Sequence, residues 1–406
     1  MKDARFEGLK VRLVCESFHP EASGGSVVQH MAKVLYESGT KVDVFCLGEV
    51  LYPKWCVDDR LVVHQSPRPK VSGLKHVVPQ KEVFAFAKVV RSIAPNVIHF
   101  ASLNFGKSRF LYKQALGVCG RVVCQPWSSK YFCARWMGCL DGKPCARCAD
   151  GSFHQALLHQ CVPWSRAAYE IIPRMLYRRD VLRCHAFISA SKTMDEEMSR
   201  FGIAQHKITR QVVPFNLERV KGLTATDGNE FIWYGRASDY KGIGLLPEIV
   251  EKCPEMQFAF FPNEIPPAKT MQAFESLARG RNNLIFDTTL WWATGLGERV
   301  AGSRCVLLPT LWNTPAEYTL MEAMALGKPI VTFDVGAHRD ILRHKENAMV
   351  VPLGDIQAFV EALREVDQDP LLRQKIGEGA ANTLGLLMSE TALLQQLAQA
   401  YGLGAG

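Results

Sequence analysis

Arg236 and Lys241 stand five positions apart, the first ending the apolar run Phe231-Ile-Trp-Tyr-Gly-Arg236 and the second within Asp239-Tyr-Lys-Gly-Ile-Gly244. Two cations placed where a strand emerges and a helix begins suit a diphosphate, whose charge rises as a bond to a phosphate oxygen breaks. They are therefore the candidate catalytic residues, against the alternative of two solvated loop cations. A second run, Leu308-Pro-Thr-Leu-Trp-Asn-Thr-Pro-Ala-Glu-Tyr-Thr-Leu-Met-Glu-Ala-Met-Ala-Leu-Gly-Lys-Pro-Ile-Val331, predicts a strand ending at Pro309 and a helix over Thr319–Leu326 stopped by Gly327. Glu322 would then lie one turn inside that helix, beside N–H groups able to hold phosphate. A carboxylate there can accept both hydroxyls of a ribose. Tyr318 and Thr319 sit at the start of the same helix and join the candidate donor-binding set.

Two further constellations carry chemistry. Phe18-His-Pro-Glu-Ala-Ser-Gly-Gly-Ser26 falls between a strand and a helix, and Gly24 and Gly25 would let backbone N–H groups approach an oxyanion. A tight turn with no ligand explains them equally well. Seven of the thirteen cysteines fall between Cys119 and Cys161. Cys145-Ala-Arg-Cys148 is a C-x2-C half-site for zinc, and Cys133 and Cys161 complete a candidate structural metal set. Reduced buried thiols or a loop disulfide are the alternatives.

These residues need elements to position them. A length of 406 residues predicts two domains. Short β-branched runs alternate with helical patterns throughout, the rhythm of parallel sheets covered by helices. The predicted strands are Val11–Cys15, Lys41–Phe45, Leu61–His64, Asn96–Phe100, Arg121–Cys124 and Ala186–Ser189 in the first half. In the second half they are Glu230–Tyr234, Gln257–Phe261, Asn283–Phe286, Cys305–Leu308, Pro329–Thr332 and Met349–Val351. Helices are expected over Val27–Ser38, Val83–Ile93, Leu371–Gly385 and Thr391–Tyr401, with a hinge in Pro214–Gly228. The expected domains are 1–213, with a Cys-rich insertion at 133–161, and 229–385. Residues 386–406 would form a terminal helix returning to the first domain.

The chain resembles a retaining glycosyltransferase of family 4. The matching segments are Gly24-Gly25, Tyr234-Gly-Arg236 with Lys241-Gly242, Glu322-Ala-Met-Ala-Leu-Gly-Lys-Pro-Ile-Val331, Val335-Gly336 and Val351-Pro-Leu-Gly-Asp355. The resemblance implies the GT-B fold, an α/β architecture of two Rossmann-like doubly wound domains facing across a cleft. It also implies a nucleotide diphosphate sugar as donor, a glycan or lipid-linked acceptor, and no metal required for the chemistry. By the same resemblance Arg236 and Lys241 bind the diphosphate and Glu322 the ribose. Two departures stand out. Thr314 occupies the place of the family's first glutamate, with Glu317 three residues later. Gln125-Pro-Trp-Ser-Ser129 stands where the family often has a His-Asp pair. The first departure favours Glu317, and not Thr314, as the sugar contact within the donor-binding set that holds both, against a donor sugar bound differently or weak activity. It also keeps open two other readings, a non-catalytic nucleotide-sugar-binding subunit and a GT-B epimerase.

Charge is unevenly spread. Residues 1–225 carry 33 Lys+Arg against 18 Asp+Glu, and residues 226–406 carry 15 against 22, so the halves are +15 and −7. A basic first half points to an anionic partner. The residues Lys107, Arg109, Phe110, Tyr112, Lys113, Arg135, Trp136, Arg174, Tyr177, Arg178 and Arg179 interleave cations with aromatics, as a surface lying on anionic headgroups would. No nucleic-acid module is recognisable, so nucleic acid is not an expected partner. No apolar stretch approaches the ~18 residues of a membrane span, and Met1–Leu13 lacks an apolar core. With an odd cysteine count, these features predict a cytoplasmic protein, peripheral on a membrane at most.

Overall fold

The computed structural model describes residues 3–404 apart from 21, 67–80, 93, 102–108, 136 and 316. The chain divides into two compact units: Met1–Gly138 with Ala146–Asn216 and Met388–Gly406, and Cys139–Cys145 with Leu217–Leu387. The seven residues 139–145 of the Cys-rich segment thus group with the second unit rather than the first.

In chain order the strands are β1 (Lys10–Cys15), β2 (Lys41–Cys46), β3 (Leu61–Gln65), β4 (Val97–Ala101), β5 (Val122–Gln125), the two-residue β6 (Cys139–Leu140) and β7 (Lys143–Pro144), β8 (Ala186–Ser189) and β9 (Ile208–Arg210). They continue with β10 (Glu230–Gly235), β11 (Gln257–Pro262), β12 (Leu284–Phe286), β13 (Cys305–Leu308), β14 (Ile330–Phe333) and β15 (Met349–Val351). The first unit holds a parallel sheet in the order β3-β2-β1-β4-β5-β8-β9, and the second a parallel sheet in the order β12-β11-β10-β13-β14-β15. In β1 and β2 every residue after the leading lysine is buried, as expected of strands covered by helices on both faces. Each of the twelve predicted strands is present, with ends displaced by at most one residue. The added β9 and the β6–β7 ribbon are too short to show a period of two.

The first helix corrects an expectation. It spans Ser23–Glu37, so Gly24 and Gly25 lie inside its first turn and not in a loop before it. A Cβ on Gly25 would sit 2.4 Å from the His19 carbonyl oxygen and 2.7 Å from its nitrogen. Close backbone packing on His19 therefore requires this glycine whether or not an anion binds.

The terminal helix Glu390–Tyr401 belongs to the first unit's core. Leu393, Leu394, Leu397, Ala398 and Tyr401 are buried among Phe6, Met31, Leu35 and Ile188. Arg121 of β5's leading edge donates from Nε and Nη2 to the Ala400 carbonyl, at 2.9 and 2.7 Å. Tyr401 Oη lies 3.0 Å from Nδ1 of His99 in β4, and both side chains are fully enclosed. Nearby, Gln125 Nε2 donates to Gln211 Oε1 at 3.0 Å and Ser129 Oγ donates to Glu197 at 2.9 Å. The sequence that replaces the His-Asp pair is thus built into a buried polar network.

The expected basic–aromatic surface is overturned in part. Tyr112 and Tyr177 are core residues, with Tyr112 bonded to Tyr131 at 2.8 Å, and Arg174 is buried against the Ala134 carbonyl. Arg178 is spent on the Phe201 carbonyl. Lys107 and Trp136 lie outside the described residues. Lys113, Arg135 and Arg179 remain exposed.

Burial drives the His99 imidazole down to about 3, which means the fold holds it neutral. A neutral buried base stabilises fully above its unfolded value near 6.5, and that contribution is lost as pH falls from there toward 3. Thermal unfolding between about pH 7 and 4.5 should show stability dropping by roughly 2–4 kcal/mol, and His99→Gln should flatten part of that slope.

Candidate functional site

The site assembles within the second unit, where β10 and β13 end and the helix Tyr318–Ala325 begins. After β10 the chain enters a short turn, Asp239–Lys241, capped by Gly242 at φ +75°. A Cβ on Gly242 would fall 1.9 Å from the Pro309 carbonyl oxygen. Only glycine lets this turn lie against the end of β13, and Leu311 N bonds to the Tyr240 carbonyl at 2.9 Å as a result.

That approach brings Lys241 to Glu317. Its Nζ lies 2.6 Å from Glu317 Oε2, on a carboxylate that is 1% exposed. Glu317 occupies the N-cap position of the helix, but its side chain bonds elsewhere. Thr310 donates to its Oε1, and Thr319 Oγ1 to its Oε2 at 3.3 Å. Burial raises the Glu317 carboxyl, but Lys241, His338 and the Thr310 hydroxyl outweigh it and hold the group below the usual range. Five residues on, Glu322 is equally enclosed and its carboxyl is raised by burial, against the opposing pull of Arg219 and Tyr234. Two neighbouring carboxylates are thereby pushed in opposite directions by their surroundings.

Arg219 was not legible in the sequence. It sits in the short turn Leu217–Val220, and its Nε donates to Glu322 Oε1. Its guanidinium lies over the rings of Trp292 at 4.7 Å and Tyr318 at 5.6 Å. Tyr234, at the end of β10, donates from Oη to the Thr319 carbonyl at 3.3 Å. A separation of 103 residues between Arg219 and Glu322 hides the pair from any spacing argument.

The other expected residues fall less neatly. Arg236 is 54% exposed, 3.8 Å from Glu264 and 3.5 Å from the Tyr240 hydroxyl, apart from the buried charges. Thr314 is fully buried, with no hydrogen-bond partner for its Oγ1 among the described residues, and it is Thr310 that serves Glu317. His338, from the helix His338–Ile341, is also buried. Its imidazole is brought down to about 4 by burial, and its Nδ1 lies 2.8 Å from Thr332 Oγ1. The Thr332 hydroxyl also lies 2.9 Å from the Leu308 carbonyl, and His338 Nε2 is buried without a hydrogen-bond partner among the described residues.

The zinc expectation is not supported. Among the described residues no group of three or more His, Cys, Asp or Glu is placed to hold a metal ion, so Cys133, Cys145, Cys148 and Cys161 do not form one. Cys139 Sγ contacts the Leu311 carbonyl at 3.6 Å, which ties the ribbon to the strand end of the second unit.

Two Rossmann-like parallel-sheet units with helices define the GT-B fold. The chain matches a sucrose-phosphate synthase from Thermosynechococcus elongatus with TM-score 0.71 at 16% identity, over 97% of this chain and 98% of that one. It matches Anabaena HepE in complex with UDP with TM-score 0.66 at 12% identity, over 96% and 98% of the two chains. Residues 228–369, about a third of the chain, match the sequence model of glycosyl transferases group 1. A lipopolysaccharide core biosynthesis glycosyltransferase of Rhizobium meliloti is 24% identical over 170 residues, 42% of this chain and 48% of that protein. The matched segments span between 9% and 48% of the curated relatives' lengths.

Removing one partner of a buried ion pair strands the other charge. Lys241→Met should destabilise the folded chain by about 3–5 kcal/mol, and adding Glu317→Gln should recover most of that loss. Chemical denaturation of the two variants against the parent measures both effects.

Proposed function

We propose that the chain is a metal-independent retaining glycosyltransferase of the family 4 type. In this reading it moves a sugar from a nucleotide diphosphate donor to a hydroxyl of a glycan or lipid-linked acceptor in cell-surface polysaccharide or glycoconjugate biosynthesis. The observation that carries this reading is the Lys241–Glu317 pair at the N-terminus of the helix Tyr318–Ala325, within the segment that matches the family. An ammonium has three N–H donors, and the bond to Glu317 leaves two for phosphate oxygens while fixing where Lys241 points. Arg236, at a solvated position, supplies a second cation to the diphosphate. Thr319 and the helix N-terminus contribute N–H dipoles to the same charge.

In this mechanism the bond between the sugar's anomeric carbon and the diphosphate oxygen breaks. The acceptor oxygen bonds to that carbon on the same face, and its proton passes to the departing phosphate oxygen. Positive charge from Arg236 and Lys241 takes up the negative charge that develops, which is the work a divalent cation would otherwise do. Glu317 faces the donor sugar in place of the family's first glutamate, and Glu322 accepts the ribose hydroxyls. The structures of HepE with UDP and with UDP-glucose support a uridine nucleotide sugar as the first donor to test.

A screen of nucleotide sugars for hydrolysis and transfer is the direct test. Arg236→Ala and Lys241→Ala should each lose about 2–4 kcal/mol of transition-state stabilisation in kcat/KM. Glu317→Gln should impair transfer while leaving nucleoside diphosphate binding nearly intact. Nucleotide binding with no turnover of any donor would favour the non-catalytic subunit.

A membrane-bound acceptor accords with the outer face of the first unit. Trp164, Tyr169, Ile172 and Met175 are all more than half exposed. On the helix Ile172–Val181, residues 172, 175, 176 and 179 share one face, so apolar side chains lead into Arg179, with Arg166 and Arg183 beyond the helix at either end. Apolar insertion together with cations is what an anionic bilayer binds. Among the described residues no helix is long and apolar enough to cross a membrane. Vesicle co-sedimentation should show binding to anionic but not neutral lipid, released by high salt, and Trp164→Ser with Met175→Ser should reduce it at least about tenfold.

A further inference from the structure

We infer that Arg219 guards the carboxylate meant for the ribose and so sets how tightly this chain holds ribonucleotides. The inference rests on the reading of Glu322 as the ribose acceptor. Glu322 is 2% exposed, and the group that covers its Oε1 is the Arg219 guanidinium. That guanidinium is held by aromatic rings as well as by its ion pair with Glu322. It lies on the Trp292 ring at 4.7 Å and near the Tyr318 ring at 5.6 Å. The Trp292 indole N–H donates to the Arg219 carbonyl at 3.1 Å, so the residue that stacks on the side chain also pins its backbone. Trp292 is itself 6.1 Å from the ring of Tyr234, the strand-end residue that lies against the same helix start.

A ribose can use Glu322 only by donating its two hydroxyls to the carboxylate oxygens. One of those oxygens already takes a charge-assisted bond from Arg219, which is stronger than a neutral hydroxyl bond. A carboxylate can accept more than one bond per oxygen, but Glu322 is 2% exposed beneath Arg219, so a nucleotide must move the guanidinium off Trp292 and Tyr318 before its hydroxyls can reach both oxygens. Its apparent affinity is lowered by the fraction of time Arg219 covers the carboxylate. A ligand that lacks the ribose hydroxyls makes no demand on Glu322 and escapes that penalty. Arg219 thus acts on the sugar of the nucleotide, whereas Lys241 and Arg236 act on its phosphates.

The test is calorimetric titration of the full chain at about pH 8, with UDP and GDP and with their 2′,3′-dideoxy forms, for the parent, Arg219→Ala, Trp292→Leu and Glu322→Gln. The expected result for Arg219→Ala is a tightening of roughly tenfold for the better-binding ribonucleotide. The dideoxy forms should change by less than about twofold, and Trp292→Leu should fall between parent and Arg219→Ala for the ribonucleotide. Trp292→Leu carries the test if the loss of Arg219 prevents folding. Equal weakening of ribo and dideoxy forms would make Arg219 a nucleotide ligand and overturn the inference, as would unchanged affinity for both. A Glu322→Gln variant that binds ribo and dideoxy forms with the parent's affinities, and an Arg219→Ala variant that binds the two forms alike, would instead remove Glu322 from the ribose, which is failure of the underlying reading. Binding of neither nucleotide by any variant would overturn both.

Discussion

Two carboxylates five residues apart at the start of one helix, Glu317 and Glu322, are both taken out of water, and neither can be buried ionised without a cation of its own. That requirement organises the second unit. Lys241 answers Glu317, and it can do so only because Gly242 lets the turn after β10 touch the end of β13. Arg219 answers Glu322 from a turn at the unit's first residues, and it is steadied by Trp292 from a third segment. The ends of β10 and β13, the helix Tyr318–Ala325 and two irregular turns are thus bound to one another by charge as much as by the apolar core beneath them.

The pairing also explains why the site can be preorganised without being rigidly closed. Glu317 is satisfied by a cation and two hydroxyls, and its carboxyl is held low, so it stays charged at neutral pH. Glu322 is held by the Arg219 guanidinium and the Tyr234 hydroxyl, and burial still leaves its carboxyl raised. The first is a fixture that aims Lys241. The second keeps its raised carboxyl beneath the Arg219 guanidinium, which Trp292 and Tyr318 hold in place.

The first unit solves a different problem. Its sheet is closed over by the terminal helix Glu390–Tyr401, which arrives from the far end of the chain and is fixed by both apolar and polar contacts. Its polar interior pairs His99 with Tyr401 and Gln125 with Gln211 within the unit, while His99 Nε2, Gln125 Oε1 and Gln211 Nε2 stay buried without a partner among the described residues. Among its exposed apolar side chains, Trp164, Tyr169, Ile172 and Met175 lie on the helices between residues 164 and 181, where Ile172 and Met175 share a face with Arg179.

Much of this was present in the order of residues. The strands were legible because a doubly covered parallel strand must be a short, nearly unbroken apolar run, and such runs stand out between polar turns. Lys241, Glu317 and Glu322 were legible because their segments carry a local pattern of strand end, turn and helix start. The tyrosines of the supposed basic–aromatic surface were misread because sequence shows that an aromatic lies near a cation but not which way a helix faces. Tyr112 and Tyr177 point into the core, and the exposed apolar face of that region belongs to Trp164, Ile172 and Met175. The Gly24-Gly25 segment looked like a loop until the helix was seen to begin at Ser23, with Gly25 pressed on His19. Arg219 and Trp292 could come only from the tertiary structure, since they reach Glu322 across 103 residues and through the packing of separate turns. Local pattern fixes which residues sit at the ends of strands and helices; which cation finds which buried carboxylate is decided by folding, because desolvation makes each carboxylate demand a partner wherever in the chain one can be brought to it.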